Sequence, residues 1–186
     1  MSRLRFATAR EVFEAFPTAR DDIQAAPDDE APLAFARRLS ESPTPEDAIS
    51  FCAYLLPRRE AVWWACQCLR RLLPHPGSEE EAALSAAEAW VREPEEGRRR
   101  AALALGMQGD RRSAATWAVL AAAWSGGSMT DGGHPVPAPP HLTAKAARAA
   151  VLTALARVGA RERASRLKAC LEGGLQLLSD EPAGRA

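Results

Sequence analysis

Residues that favour β-strands are scarce in this chain of 186 residues, which contains seven Val, two Ile, seven Thr and one Tyr. Because β-branched and aromatic side chains are the ones that pack well on a pleated sheet, their scarcity argues against a β-rich fold. Forty residues are Ala, and 22 of the 24 basic residues are Arg. Both types are good helix formers, as are the abundant Leu and Glu. The composition therefore predicts an all-α fold.

Long apolar runs are also missing, and none approaches the about 20 residues that a membrane-spanning helix needs. Residues 1–10 contain basic side chains with no apolar segment behind them, so we expect no secretory signal, no membrane insertion and a cytoplasmic protein. In that compartment the four cysteines are expected to be reduced. The net charge is zero at pH 7, so the chain has no overall attraction for phosphate and we expect no nucleic-acid partner.

The zero net charge conceals an uneven distribution along the chain. Residues 1–50 have a net charge of −4, residues 51–110 of −1 and residues 111–186 of +5. In one interpretation, the acidic and basic ends attract each other within the fold or lie on different faces. In the other, they form a charged docking surface for a partner. The positive excess of the last part is too dilute for a nucleic-acid-binding arm.

Capping residues and prolines divide the chain into about eight or nine helices. Thr8 and Glu11 have the spacing of a capping box and open the first helix, which Pro17 ends. Ser78 and Glu81 have the same spacing. Other helices are predicted to begin near Pro32, Thr44, Arg58, Glu93, Ser113, Thr143 and Ala160, with Gly173 and Gly174 weakening the last one.

These helices predict a compact irregular bundle, because short connections favour antiparallel neighbours. A weak similarity between residues 56–59 and 93–96 leaves open an array of short two-helix, HEAT-like repeats. We predict a single helical domain over residues 1–178, a Pro/Gly-rich loop at 125–141 and a frayed tail at 179–186.

No arrangement of residues typical of a catalytic, metal or cofactor site occurs in the chain. Cys66 and Cys68 form a C-x-C pair, whose side chains point roughly 200° apart on a helix and therefore cannot both coordinate one metal ion. His75, His134 and His141 lie far apart in loops, and no nucleophile elbow, P-loop or dinucleotide fingerprint is present. We therefore predict no catalytic residue, no metal and no cofactor. The alternative is a small-molecule or thiol-dependent enzyme that uses Cys66, Cys68 or His75.

Two adjacent tryptophans lie on the helix that begins near Arg58, and its apolar stripe cannot bury both. Trp63 lies roughly 115° and Trp64 roughly 145° from the middle of that stripe. Either a second layer of helices covers the far side, or Trp64 is partly exposed. In the second case a partner-binding patch is expected, since Trp and Arg are typical of interaction hot spots. Its residues would be Arg58, Arg59, Trp63, Trp64 and Arg71.

The Pro/Gly-rich loop at 125–141 is the second candidate for partner binding. Seventeen residues without secondary structure are unusual in a compact domain, and such loops are often functional. The proline run favours a stiff, extended segment that docks in an aromatic groove, either of a partner or beside the chain's own Trp117 or Trp124. The predicted contact residues are Trp124, Ser125, Gly126, Gly127, Pro137, Pro139 and Pro140.

Several segments are distinctive when taken together. They are residues 13–17, 42–49, 56–64 and 124–128, followed by the proline run and Leu142-Thr143-Ala144. This set resembles a family of small all-helical bacterial proteins of unknown function that is associated with type VI secretion gene neighbourhoods. The resemblance implies an accessory or adaptor protein and transfers no catalytic residue.

The sequence thus predicts a non-enzymatic, cytoplasmic helical adaptor that binds another protein, with a bacterial secretion system as the implied setting. Two alternatives come from other classes of protein. One is the thiol-dependent enzyme described above, and the other is a structural subunit that assembles with itself.

Overall fold

The computed structural model describes residues 4–130 and 134–179, which contain nine α-helices and one short 3-10 helix. The 3-10 helix, Pro17–Asp21, follows the first α-helix. The α-helices are α1 (Ala9–Ala15), α2 (Pro32–Ser40), α3 (Glu46–Leu55), α4 (Arg58–Leu72), α5 (Ser78–Arg92), α6 (Glu96–Gln108), α7 (Ala114–Ala123), α8 (Leu142–Ala156) and α9 (Ala160–Gln176). The predicted all-α fold of eight or nine helices is confirmed.

Helices α7 and α8 form the centre of the bundle. In α7 every residue is buried except Trp117, which is partly buried. A helix that is apolar on all sides must be surrounded by others, and α7 packs against α4, α5, α6 and α8. Helix α8 contacts α3, α4 and α9 as well. The structure is therefore a compact bundle rather than a repeat array, because in an array each repeat contacts only its neighbours in sequence.

The N-terminal helices pack around three phenylalanines, one from each of α1, α2 and α3. The ring of Phe35 lies 6.3 Å from that of Phe13 and 4.7 Å from that of Phe51, measured between centroids. All three side chains are buried. They belong to the same continuous core of buried residues as α7 and α8.

Ion pairs connect the acidic N-terminal part of the chain to the basic C-terminal part. Asp22 lies at the centre, 2.9 Å from Lys145 Nζ and 3.2 Å from Arg148 Nη1 of α8. Its Oδ2 also accepts a hydrogen bond of 2.5 Å from Tyr54. The pKa of Tyr54 is raised by burial and by this carboxylate. Here the opposite charges of the two ends attract each other within the fold.

One predicted helix cap is confirmed and one is displaced. Thr8 caps α1, since its Oγ1 accepts a hydrogen bond of 3.3 Å from Glu11 N. Helix α5 begins at Ser78 itself, and Glu80 Oε2 accepts a hydrogen bond of 3.1 Å from Gly77 N. The predicted pairing of Ser78 with Glu81 is therefore wrong by one residue, because the glycine before the serine occupies the cap position.

Parts of two predicted segments lie outside the described residues. Of the tail predicted at 179–186, only Ser179 is described, and residues 131–133 of the Pro/Gly-rich loop are not described. Within the described ranges, no helix has both the length and the apolar character needed to cross a bilayer.

Candidate functional site

The two adjacent tryptophans of α4 occupy opposite environments. Trp64 is 1% exposed, and its Nε1 donates a hydrogen bond of 2.8 Å to the backbone oxygen of Cys170 in α9. Trp63 is 37% exposed. A second layer of helices thus covers the far side of α4, which contacts α5, α7, α8 and α9. The prediction that Trp64 belongs to a partner-binding patch is wrong, because this side chain is part of the core.

Helix α9 lies close to Trp64 because it has a glycine at the contact. A Cβ atom added at Gly174 would lie 2.9 Å from Trp64 Nε1 and would clash with the sulfur of Cys52. Helix α9 continues through Gly173 and Gly174 to Gln176. The glycine pair therefore does not end the helix, and Gly174 permits its close approach to α4.

An open groove lies between α4 and α9 beside the exposed indole of Trp63. Its cavity has a volume of about 260 Å³. A shallow depression on the other side of the indole extends it to the end of α5, at Val91 and Arg92. We call both parts together the Trp63 groove. Its remaining lining residues are Arg59, Glu60, Trp64, Gln67, Cys68, Arg71, Leu72, Arg166, Ala169, Cys170, Gly173, Gln176 and Leu177.

Positive charge dominates the lining of the Trp63 groove, which contains four arginines and one carboxylate. Arg71 and Arg92 form no ion pair with any described residue. Arg59 donates a hydrogen bond of 2.7 Å to the backbone oxygen of Val91 rather than to a carboxylate. Arg166 pairs at 3.3 Å with Glu162, and both side chains are about half exposed to solvent. The groove thus combines an exposed aromatic ring with guanidinium groups that are available to an anion.

The residues of the alternative, a thiol-dependent enzyme, do not converge on one site. Cys68 lines the Trp63 groove, whereas Cys66 is fully buried and has Glu88 of α5 and Arg70 as its charged neighbours. Burial raises the pKa of the Cys66 thiol to about 12. His75 is exposed in the loop after α4. Over the described ranges, no group of His, Cys, Asp and Glu side chains is arranged to hold a metal ion.

The Pro/Gly-rich loop folds back on itself and is held by a buried arginine. The backbone N–H of Met129 donates to Val136 O at 2.8 Å, which pairs the two halves of the loop. Arg99 of α6 is 4% exposed, and its Nη1 donates to Ala123 O at 2.7 Å and to Ser128 O at 2.9 Å. These bonds fasten the loop to the ends of α6 and α7.

Gly127 lets the loop pass directly over this arginine. Its φ is +58°, and an added Cβ would lie 2.9 Å from Arg99 Nε. Glycine adopts this left-handed conformation readily, whereas most residues with a Cβ are strained there. Glu96 pairs with the same guanidinium at 2.6 Å, and the hydrogen bond lowers the pKa of Glu96 to about 2.

Sequence reasoning missed Arg99 as a key residue of the loop. The available signal was a Glu–Arg pair at a spacing of three residues, which is typical of exposed helix surfaces.

The loop's predicted contact residues differ in environment: Gly127, Pro137 and Pro140 are exposed, and Trp124, Ser125, Gly126 and Pro139 are partly buried. Arg58 Nη1 donates to Ser125 O at 2.8 Å.

The structure separates the two candidate binding elements of the sequence. No described loop residue lines the Trp63 groove. Of the predicted patch on α4, Arg59, Trp63 and Arg71 lie in the groove, while Arg58 contacts the loop. Thr143, just after the loop, donates a hydrogen bond of 3.2 Å to the backbone oxygen of Trp124, just before it, so the two ends of the loop are held together.

Comparison with known proteins identifies a family for this chain. A family described as "Family of unknown function (DUF6931)" matches residues 35–178, well over half of the sequence. The chain belongs to this family. The DUF6931 match includes most of α2, all helices from α3 to α9 and every residue of the Trp63 groove. No curated protein and no solved structure matches the chain. The expected membership of a family of unknown function is confirmed.

Proposed function

We propose that this protein is a non-enzymatic adaptor that binds another protein through the Trp63 groove. The observation that carries the proposal is the 37% exposed indole of Trp63 beside Arg71 and Arg92, which form no ion pair with a described carboxylate. Trp and Arg are the residues most often responsible for binding energy in protein interfaces. A large aromatic ring at the surface costs solvation free energy unless a partner covers it.

The chemistry of the groove defines the partner segment that fits it. Leu72 and Leu177 contribute apolar surface next to the indole, so an apolar or aromatic side chain of the partner would pack there. A carboxylate from the same segment would pair with the guanidinium of Arg71 or Arg92, because a guanidinium binds a carboxylate through two parallel hydrogen bonds. The proposed partner therefore presents a segment that combines acidic and apolar residues.

The setting of this adaptor is also part of the proposal. The resemblance of the sequence implies an accessory role in a bacterial type VI secretion system, and the cytoplasm is the proposed compartment. The partner would then be a component of the secretion apparatus or of its assembly.

A comparative pull-down with single-residue variants tests the proposal. Proteins captured from the native host by the wild-type chain are identified by mass spectrometry and compared with those captured by Trp63→Ala and Arg71→Glu. The matched control is Met107→Ala, since Met107 is also an apolar side chain, 56% exposed, and lies on α6 away from the groove. The partner is expected to be retained by the control and lost by both groove variants.

The affinity of the purified partner then gives the size of the effect. Trp63→Ala is expected to weaken binding at least about tenfold, and binding is expected to weaken as salt concentration rises. Circular dichroism of the variant should match the wild type, because the Trp63 side chain lies at the surface. Equal affinities of the wild type and both groove variants would refute the proposal. Concentration-dependent light scattering that disappears in Trp63→Ala would instead assign the groove to a second copy of the chain.

A further inference from the structure

The floor of the Trp63 groove contains two thiols from different helices. Cys68 of α4 and Cys170 of α9 both line the cavity of about 260 Å³. Cys68 follows Trp64 by about one turn of α4 and so faces the same part of α9, and the two thiols are close enough for each to shift the pKa of the other. The two helices are held together at this point by the 2.8 Å bond from Trp64 Nε1 to Cys170 O.

The other two cysteines are in a different situation. Cys52 and Cys66 are both 0% exposed, while Cys68 is 4% and Cys170 5% exposed, at the cavity wall. Burial raises the pKa of both Cys52 and Cys66, which keeps them as neutral thiols. Cys66 provides an internal control for chemistry at the groove, whereas Cys52 lies close enough to Cys170 to interact with it and can compete as its partner.

The charges around Cys170 favour its thiolate. The guanidinium groups of Arg71 and Arg166 line the same cavity. Interaction with the Cys68 thiol lowers the pKa of Cys170, and these two positive charges lower it further. The pKa of Cys68 is raised by its interaction with Cys170 and by burial. A thiolate beside cations and next to a second thiol is the arrangement typical of cysteines that react with peroxides.

We propose that Cys170 and Cys68 form a peroxide-reactive dithiol that oxidises to a disulfide between α4 and α9. The Cys170 thiolate attacks one oxygen of hydrogen peroxide, forming an S–O bond as the O–O bond breaks. The products are a sulfenic acid on Cys170 and a hydroxide ion, which takes a proton and leaves as water. Cys170 supplies the electron pair, and this peroxide is the oxidant.

The second step closes the disulfide. The sulfur of Cys68 attacks the sulfur of Cys170, so that the S–S bond forms as the S–O bond breaks. The departing hydroxyl group takes the proton of Cys68 and leaves as water. Two thiols are thus oxidised by two electrons while one hydrogen peroxide is reduced to two water molecules. This chemistry does not depend on the groove binding a partner.

Peptide mapping of the full-length protein tests the inference. The folded, reduced protein is treated with an equimolar amount of hydrogen peroxide, its remaining thiols are alkylated and its peptides are analysed by mass spectrometry. The expected product is an intramolecular disulfide between the peptides of Cys68 and Cys170, with Cys52 and Cys66 alkylated only after unfolding. A mixture of pairings, or oxidation that spares Cys68 and Cys170, would overturn the inference.

Three variants separate the roles of the two thiols. Cys66→Ser is the matched control on α4 and should form the disulfide at the wild-type rate. Cys68→Ser should accumulate a sulfenic acid on Cys170 that dimedone traps, because the resolving thiol is missing. Cys170→Ser should react with peroxide at least about tenfold more slowly at pH 7, since its remaining thiols are protonated. A Cys170→Ser variant that is oxidised as fast as the wild type, with circular dichroism showing a folded chain, would contradict the proposal.

Discussion

Neighbouring residues in this bundle occupy very different environments, and the effects of substitution should differ accordingly. Trp63 and Trp64 are one surface and one core residue. Gly173 and Gly174 differ in the same way. The nearest atom to a Cβ added at Gly173 is Arg71 Nη1 at 3.9 Å, whereas a Cβ added at Gly174 meets Trp64 Nε1 at 2.9 Å.

Alanine at the two glycines is therefore expected to change stability in opposite directions. Gly174→Ala should lower the free energy of unfolding by about 1–3 kcal/mol, because the core has no room for the methyl group. Gly173→Ala should raise it by up to about 1 kcal/mol, because Ala loses less backbone entropy than Gly in a helix. Urea unfolding followed by circular dichroism measures both. Equal midpoints for the two variants would show that α9 does not pack against α4 as described.

At the scale of elements, a single buried side chain organises the connection between α6, α7 and the loop that follows. Arg99 binds the backbone oxygens of Ala123 and Ser128 and pairs with Glu96. Arg100, the next residue of α6, also pairs with Glu96, at 3.2 Å, but its side chain is 61% exposed. The two arginines share one carboxylate and differ in burial.

Replacement of these arginines by methionine is expected to separate the two roles. Arg99→Met should lower the free energy of unfolding by about 2–4 kcal/mol, because buried carbonyl oxygens lose their donors. Arg100→Met should change it by less than about 0.5 kcal/mol, as is usual for an exposed ion pair. Urea unfolding of both variants tests this. Similar losses for both would mean that the loop is held by other contacts.

At the scale of the whole molecule, ion pairs with arginine make stability depend on acid pH. Hydrogen bonds from arginines lower the pKa values of Asp29, Glu81 and Glu96, the last from 4.5 to about 2. A carboxyl whose pKa is lower in the folded than in the unfolded chain contributes stability that is complete above the unfolded value. That contribution disappears as the pH falls towards the folded value.

Glu96→Gln is expected to make the free energy of unfolding depend less strongly on pH in the acid range. At pH 6 the variant should be less stable than the wild type by less than about 1 kcal/mol, because Glu96 is largely exposed and solvent screens its charge. The difference should shrink between about pH 4.5 and pH 2, where Glu96 takes up its proton. Urea midpoints measured at several pH values provide the check. A difference that stays constant from pH 6 to pH 2 would contradict the assigned ion pair.

The structural features that the sequence predicts correctly are those formed by residues close together in the chain. The Thr8 cap and the break between α5 and α6 at Pro94 depend on neighbours within about one helical turn, and the sequence indicated both. The burial of Trp64 depends on Cys170, which lies in the last helix. From its position on α4 alone, Trp64 could be either exposed or covered by a second layer of helices. The sequence of α4 does not show that α9 packs there.

By itself, the sequence determined that this chain folds into helices and where most of them begin and end, because composition, caps and prolines act locally. It also excluded the familiar catalytic motifs and indicated a family of unknown function. Only the tertiary structure decided which tryptophan is at the surface, that Arg99 fastens the loop, and that Cys68 and Cys170 meet in one groove. These features arise where helices distant in sequence pack together. The alanines and glycines that permit this packing would fit many different helix arrangements, and only the complete packed core selects one of them.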